Sequence, residues 1–207
     1  MPGVKGFISF EGIEGAGKST QSKLLAEYLR PRGHTVITTV EPGGTGIGQQ
    51  IRALLLEPGN HMDPLTELLL YYASRAQHAR EVIYPALLKN TVVITDRFTD
   101  STTAYQGYAR GLDLSIIDAL NEIVVPDLKP FLTFLLDLDV EEGLRRNRHA
   151  RKEDRFELET IDFHNRVRQG FLQISAEEPE RVKVIDASRN ADEVSKHIIK
   201  VLEESWR

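Results

Sequence analysis

Eight residues near the start of the sequence carry the pattern G-x-x-x-x-G-K-S, from Gly12 to Ser19. Glycines in such a loop let successive backbone N–H groups form a cradle for phosphate oxygens at the N-terminus of a helix. Lys18 is expected to reach the β- and γ-phosphates of a nucleotide, and Ser19 to ligate Mg²⁺. An apolar run precedes the loop and a helical pattern follows it, as this function requires. The pattern therefore predicts a nucleoside triphosphate site.

A second candidate for magnesium binding is an acid at the end of another apolar run. Asp96 closes Val92-Val93-Ile94-Thr95, which is typical of the second magnesium-associated element in P-loop enzymes. Arg97 would then enter the same crevice. The alternative is an aspartate that caps the next helix, followed by an exposed arginine. Asp137 also ends an apolar run and is a weaker candidate.

Two residues in the middle of the chain could recognise a flat ring. Tyr71 and Arg75 lie four residues apart, so a helix projects them from one face. An aromatic plane beside a guanidinium suits a base with carbonyl edges, although a surface pair has the same spacing. The neighbouring stripe is expected to be core and contains Leu65, Leu69, Tyr72 and Ala76.

A polar helix face follows Asp96. Ser101 and Tyr105 are separated by four residues, and Thr102 and Gln106 repeat that spacing one position later. A helix that leaves a ligand crevice with this face carries more polar groups than solvation requires. We predict that these side chains contribute to the site.

A basic segment follows Asp137. Asp139 and, three residues later, Glu142 form a capping-box signal and predict the start of a helix. Six cations then occur within eleven residues, namely Arg145, Arg146, Arg148, Arg151, Lys152 and Arg155. In an acidic chain they concentrate positive potential that a transferring phosphoryl group could use. A solvated charged face is the alternative.

The elements that must position these residues alternate between strands and helices. Apolar runs rich in Val, Ile and Phe predict strands at residues 4–10, 35–40, 91–95, 131–136 and 182–185. Helical patterns occupy residues 18–29, 47–56, 65–88, 101–125, 140–178 with interruptions, and 192–206. This alternation predicts an α/β fold, a parallel sheet covered by helices on both faces. Ligands of such sheets bind at the carboxyl ends of the strands.

Composition limits the remaining possibilities. The 207 residues, without an internal linker or repeat, predict one domain covering 1–207. The absence of cysteine fits a reducing compartment, and no apolar run approaches the length of a membrane span, so we expect a cytoplasmic protein without a membrane partner. A formal net charge of −5 argues against a nucleic-acid partner.

The order and spacing of several short motifs resemble the thymidylate kinase family along essentially the whole chain. These motifs are residues 10–20, Glu41-Pro42-Gly43-Gly44-Thr45, Asp96-Arg97-Phe98, Ala104-Tyr105-Gln106-Gly107 and Val184-Ile185-Asp186-Ala187-Ser188. The resemblance implies a five-stranded parallel sheet with a small helical lid at about residues 140–156. It also implies phosphoryl transfer from ATP to dTMP with Mg²⁺, giving dTDP for dTTP synthesis, and a homodimer.

By the same resemblance, ATP would be bound by Gly12, Ile13, Glu14, Gly15, Ala16, Gly17, Lys18, Ser19 and Thr20, and magnesium by Ser19 and Asp96. The implied acceptor residues are Glu41, Arg52, Tyr71, Arg75, Arg97, Ser101, Tyr105 and Gln106. Among them, Tyr71 would stack on thymine and Arg75 would hydrogen-bond it. Arg97 would hold the acceptor phosphate, and Tyr105 would lie against the sugar where a 2′-hydroxyl would be.

Gly15 is not basic, and the resemblance therefore implies the bacterial-like arrangement in which a lid arginine stabilises the transition state. We expect Arg148, Arg151 or Arg155 to act with Lys18 and Arg97 as the catalytic set. Two departures from the family pattern are Val40, where an arginine is common, and Tyr71, where phenylalanine is common. The first predicts that Arg52 takes over a phosphate contact.

No histidine is expected to be catalytic, because a phosphate acceptor is already an anion at neutral pH and needs no general base. The six histidines, at positions 34, 61, 78, 149, 164 and 197, form no cluster in the sequence. One alternative function is a kinase for another nucleoside monophosphate, such as dUMP, UMP or CMP. A less favoured alternative is a regulatory P-loop NTPase, since the guanine-reading motif Asn-Lys-x-Asp is absent.

Overall fold

The computed structural model describes residues 4–149 and 154–206, without the side chains of residues 4, 5, 148 and 149. Its centre is a sheet of five strands: β1 (Val4–Glu11), β2 (Val36–Val40), β3 (Val92–Asp96), β4 (Pro130–Asp137) and β5 (Val182–Asp186). The strand order is β2-β3-β1-β4-β5, and all neighbours are parallel. The predicted α/β fold is confirmed, and the predicted strand ends are correct to within one residue.

The α-helices of the described residues are α1 (Lys18–Leu29), α2 (Gly46–Leu56), α3 (Pro64–His78), α4 (Tyr84–Leu88), α5 (Thr99–Thr102), α6 (Leu114–Val124), α7 (Val140–His149), α8 (Ile161–Glu177) and α9 (Ala191–Ser205). A π-helical turn, Ala79–Ile83, joins α3 to α4, and another, Thr103–Ala109, continues α5. Within the described parts of the chain, no helix is long and apolar enough to cross a membrane.

The prediction of one helix over residues 101–125 is wrong. The π-helical turn after α5 ends at Ala109, and Gly111 then adopts a φ of +79° that redirects the chain. Asp113 caps the next helix by accepting a hydrogen bond from the backbone N–H of Ser115. The left-handed glycine and the cap separate two elements that share an apolar pattern.

The buried face of α3 also differs from the expected one. Leu65 and Leu69 are 45% and 49% exposed. The helix instead buries Leu68 and Tyr72, together with the polar residues Glu67, Ser74, Arg75 and His78. Apolar periodicity cannot identify this face, because four of its six buried residues are polar.

The sheet is buried on both faces, as near-continuous apolar strands require. Ile8, Phe10 and Phe134 pack on one side with α1, α8 and α9, whereas Phe7 and Val93 pack on the other with the turn after α3. The central strands β1 and β3 lie in register, with Phe10 opposite Asp96. The loops that follow β1, β2 and β3 therefore leave the sheet at one edge, which is where ligands of this fold class bind.

Candidate active site

The loop after β1 has the backbone that a phosphate cradle needs. Gly12, Gly15 and Gly17 have φ values of +134°, +74° and +90°. A Cβ atom at Gly15 would lie 2.1 Å from the carbonyl oxygen of Gly143 in α7. A glycine at this position therefore lets the loop and the first turns of the lid helix approach each other.

Lys18 opens α1 and folds back over the loop. Its Nζ donates to the carbonyl oxygens of Gly12 (3.0 Å) and Ile13 (2.8 Å). Burial, with the neighbouring Arg97 charge, lowers the pKa of Lys18 to about 8. An anion bound in the cradle would offset both effects, so the lysine is placed to favour phosphate oxygens.

Ser19 and Asp96 lie together at the end of β3. The serine Oγ donates to the Asp96 Oδ2 at 2.5 Å. A hydroxyl beside a carboxylate is an oxygen donor set that fits Mg²⁺. The weaker candidate, Asp137, is occupied by a bidentate contact from Arg168 at 2.7 and 2.9 Å. In residues 4–149 and 154–206, no group of three or more His, Cys, Asp or Glu side chains is placed to hold a metal, so phosphate oxygens would have to complete this set.

Arg97 is a non-glycine residue with a φ of +73°, in the sparsely populated left-handed region. Its guanidinium donates to the Gly12 carbonyl oxygen, Ser101 Oγ, Glu14 Oε1 and Tyr105 hydroxyl, each at 3.0 Å. Burial acts to lower the pKa of Arg97, but Tyr105 and the nearby carboxylates raise it above its usual value. The strained backbone and four contacts fix a permanent positive charge inside the crevice.

The side chain of Glu14 links the phosphate loop to residues that follow β3. Its Oε1 accepts hydrogen bonds from Arg97 and from the Tyr105 hydroxyl, the latter at 2.5 Å. Its Oε2 lies 3.4 Å from Nδ1 of the buried His164. Burial acts to raise the pKa of Glu14, but His164, Arg97 and Lys18 hold it well below the usual range. Glu14 is therefore ionised, and its carboxylate holds the side chains of Arg97 and Tyr105 in place.

Glu11 is a site residue that the sequence analysis missed. The last residue of β1 is fully buried, and its carboxyl accepts from Phe98 N (2.7 Å) and Ser101 Oγ (2.5 Å). Burial and the Asp100 charge raise its pKa to about 8. Glu11 thereby fixes the segment that carries Arg97. The sequence signal that could have identified Glu11 is a carboxyl group at the end of an apolar strand.

Arg75 and Tyr71 of α3 both line the same cavity. Arg75 is only 1% exposed and donates to Glu41 Oε2 (2.8 Å), Thr102 Oγ1 (2.9 Å) and the Phe98 carbonyl oxygen (3.1 Å). Its Nη1 is buried without a hydrogen-bond partner. This orphan donor is what a ligand carbonyl could satisfy.

The remaining acceptor candidates have protein partners as well. The Arg52 Nη1 donates to the Pro42 carbonyl oxygen at 2.8 Å, and Gln106 donates to Glu67 Oε1 at 2.9 Å. The ring of Tyr105 packs edge-on against Phe156 at a centroid distance of 5.7 Å. Tyr105 is thus held by apolar packing at its ring and by Glu14 at its hydroxyl.

Three arginines were predicted to stabilise the transition state from the lid, and the structure describes the side chain of one of them. Arg151 and the side chain of Arg148 lie outside the described residues. Arg155 forms an ion pair with the buried Glu67 at 2.5 Å and donates to the Leu55 carbonyl oxygen at 3.0 Å. It is not among the residues that line the cavity. A transition-state role for Arg155 would require it to leave Glu67, so its contacts favour a role in holding the lid.

Asp139 caps α7 as predicted, since its Oδ1 accepts from the N–H groups of Glu141 and Glu142. The expected return contact of the capping box is not made, because the Glu142 carboxylate binds Arg145 and Arg146. Arg146 also donates to the carbonyl oxygen of Ala187 after β5 and lines the cavity.

The phosphate loop, the end of β3 and the acceptor candidates surround a cavity of about 360 Å³. The cavity brings together Glu14, Gly15, Gly17, Lys18, Ser19, Thr20, Glu41, Arg52, Tyr71, Arg75, Asp96, Arg97, Ser101, Tyr105 and Gln106. It therefore contains candidates for donor, metal and acceptor binding in one space.

In comparisons with known proteins, a family model, curated relatives and a solved structure that resemble this chain are all described as thymidylate kinases. The family model described as thymidylate kinase matches residues 10–198. The thymidylate kinase of Geotalea uraniireducens is 54% identical over 194 residues, covering 90% of this chain and 91% of the relative. That of Syntrophotalea carbinolica is 52% identical, with coverage of 93% and 92%. The crystal structure of thymidylate kinase from Ehrlichia chaffeensis is 41% identical, covers 95% of this chain and 97% of its own, and superposes with a TM-score of 0.79.

Proposed function

The chain belongs to the thymidylate kinase family and performs ATP-dependent phosphorylation of dTMP to dTDP, and we propose that the transfer takes place in the cavity between the phosphate loop and residues 97–106. One observation carries this proposal. Lys18, on the donor side, and Arg97, on the acceptor side, both donate to the Gly12 carbonyl oxygen at 3.0 Å. Two cations that converge on one atom can hold two phosphates next to each other.

Catalysis in this site is mainly positioning and charge stabilisation. Phosphoryl transfer has a loose transition state, with negative charge on the equatorial oxygens. The acceptor phosphate is ionised at neutral pH and attacks without a general base. Lys18 stabilises charge on the donor phosphates, and Arg97 aligns the acceptor oxygen.

Magnesium is part of the proposal. Ser19 and Asp96 would hold the ion, since their oxygens lie together beside the cradle. When bound, Mg²⁺ would neutralise charge on the ATP phosphates and orient them.

The acceptor is recognised on the other side of the cavity. The unpartnered Nη1 of Arg75 donates to a carbonyl of the base, and the Tyr71 ring stacks on it. Tyr105 is wedged between Glu14 and Phe156, so it cannot move aside for a 2′-hydroxyl. These roles favour a deoxypyrimidine nucleotide.

The lid, at about residues 140–156, closes the donor side and excludes water, which would otherwise hydrolyse ATP. We assign the transition-state charge to Arg148 or Arg151. Arg155 holds the lid against α2 and α3 through Leu55 and Glu67.

A homodimer and a cytoplasmic location complete the proposal. Exposed apolar side chains on α3 and α6, Leu65, Leu69, Leu114, Ile116 and Ile123, offer area that a second copy could bury. The cytoplasm is proposed because ATP and nucleoside monophosphates are available there.

Initial rates with ATP and Mg²⁺ test the function. ADP formation is measured with dTMP, dUMP, UMP, CMP and GMP at equal concentrations. We expect dTMP to give the highest kcat/KM. A higher kcat/KM for a ribonucleotide would refute the acceptor assignment.

A further inference from the structure

We propose that His78 is a positioning residue for acceptor recognition, because it holds Glu41 and, through Glu41, the guanidinium of Arg75. The inference rests on the proposed function, in which Arg75 contacts the base of dTMP. His78 is fully buried at the last position of α3 and does not line the cavity. It therefore acts on the acceptor only through other residues.

A continuous chain of contacts joins the end of β2 to Arg75. Thr39 Oγ1 lies 2.6 Å from His78 Nε2, and His78 Nδ1 lies 2.9 Å from Glu41 Oε1. The other carboxylate oxygen of Glu41 accepts from Arg75 Nε at 2.8 Å. Each oxygen of the buried carboxylate therefore has one partner on α3, and His78 supplies one of the two.

The charge of Glu41 indicates which ring nitrogen of His78 donates a hydrogen bond to it. Burial acts to raise the pKa of Glu41, but the Arg75 charge and the hydrogen bond to His78 hold it below its usual value. An ionised carboxylate only accepts hydrogen bonds, so His78 Nδ1 carries a proton. The other ring nitrogen, Nε2, shares a hydrogen bond with the Thr39 hydroxyl, which can either donate or accept.

Packing of the loop after β2 supports the same role. A Cβ atom at Gly44 would lie 2.6 Å from His78 Cδ2 and 2.8 Å from Thr39 Oγ1. The loop backbone thus lies directly against the imidazole ring. The backbone N–H of Gly43 also donates to Ser74 Oγ at 3.2 Å, so α3 holds this loop at a second point.

The consequence falls on Nη1, the one guanidinium nitrogen of Arg75 that has no hydrogen-bond partner. Nε and Nη2 are bound by Glu41, Thr102 and the Phe98 carbonyl oxygen, and Nη1 is left for the ligand. If Glu41 loses its contact with His78, its carboxylate can rotate and Arg75 can turn with it. His78 is then a determinant of dTMP affinity, remote from the phosphates.

The test compares five variants with the parent enzyme. His78→Leu removes both ring contacts, whereas His78→Asn keeps a donor close to the position of Nδ1. Arg75→Met removes the base contact itself and is made with and without His78→Leu. Ile83→Ala is the matched control, because Ile83 is fully buried in the turn that extends α3 and does not line the cavity.

We expect His78→Leu to raise the KM for dTMP about tenfold, with kcat and the KM for ATP within about twofold of the parent, as for a loss of uniform binding. His78→Asn should restore the KM for dTMP to within about threefold of the parent. In the Arg75→Met background, His78→Leu should change the KM for dTMP less than about twofold, because the two residues act as one unit.

Three results would overturn the inference: an unchanged KM for dTMP in His78→Leu, an equal rise in the Arg75→Met background, or the same selective rise in Ile83→Ala. A different result bears on the proposed function. If Arg75→Met itself leaves the KM for dTMP unchanged, the assignment of Arg75 to the base is wrong, and the role of His78 falls with it.

Discussion

At the scale of single residues, Lys18 should make ATP binding depend on pH. Its pKa is lowered to about 8 in the free protein, and bound phosphates raise it again. Below pH 8 Lys18 is already charged, so the affinity for ATP does not change with pH. Above pH 8 Lys18 is neutral in the free protein, so ATP binding is accompanied by the uptake of a proton. We predict that the Kd for ATP rises with pH above about 8, by at most about tenfold per unit.

Calorimetric titration between pH 7 and 9.5, in buffers of different ionisation enthalpy, measures both the Kd and the proton uptake. Adenosine is the control ligand, because it lacks phosphates and its affinity should not follow the charge of Lys18. A Kd for ATP that stays constant up to pH 9.5 would show that Lys18 remains charged in the free enzyme.

Some residues of the site could be predicted from the sequence, and others could not. Lys18, Ser19 and Asp96 carry motif signals, and the structure brings them together. Glu11 ends β1 as Asp96 ends β3, but the groups that it holds cannot be read from the sequence, and His78 has no motif signal. Their partners lie 87 and 37 residues away in the chain. Such pairings depend on how strands and helices are placed, which single-sequence patterns do not encode.

At the scale of elements, the lid helix and the phosphate loop meet through two glycines. A Cβ atom at Gly143 would lie 2.6 Å from the Glu14 carbonyl oxygen and 2.9 Å from Ile13 Cδ1. We predict that Gly143→Ala displaces α7 from the loop and lowers kcat/KM for ATP at least about tenfold, since small displacements of catalytic groups are costly. Steady-state kinetics at saturating dTMP measures this.

Gly59→Ala is the matched control for Gly143→Ala. The nearest atom to a Cβ there is a side-chain oxygen of Glu57 at 4.0 Å, and Gly59 lies outside the cavity. Its kinetics should equal those of the parent. Parent-like kcat/KM in Gly143→Ala would mean that the contact between α7 and the loop is not needed for turnover.

Element boundaries could be read from the sequence where apolar runs were bounded by turn residues. The five strands are of this kind. The helix after Asp96 was misjudged because a π-helical turn and the left-handed Gly111 interrupt a continuous apolar pattern. The prediction of the α3 core stripe is wrong for the opposite reason, since four of the six buried residues of α3 are polar and two of the predicted core leucines face outward.

At the scale of the whole molecule, the exposed leucines of α3 lead to a prediction about assembly. Leu69 is 49% exposed, and burying it against a second copy would be favourable. We predict a sedimentation mass of about twice the 23.4 kDa of the chain for the parent and a monomer for Leu69→Glu. Leu88→Glu is the control, because Leu88 is 85% exposed on α4 and is not among the side chains of α3 and α6 proposed for the interface. A parent mass near 23.4 kDa would contradict the dimer proposal.

If one cavity holds the donor and the acceptor phosphate together, a labelled γ-phosphate must pass from ATP to dTMP. The enzyme is incubated with ATP labelled in the γ-phosphate, Mg²⁺ and dTMP, and the products are separated. We expect the label to appear in dTDP, with little inorganic phosphate released when dTMP is absent, because Arg97 and the lid keep transfer dependent on the acceptor. Release of labelled inorganic phosphate at the same rate with or without dTMP would contradict it.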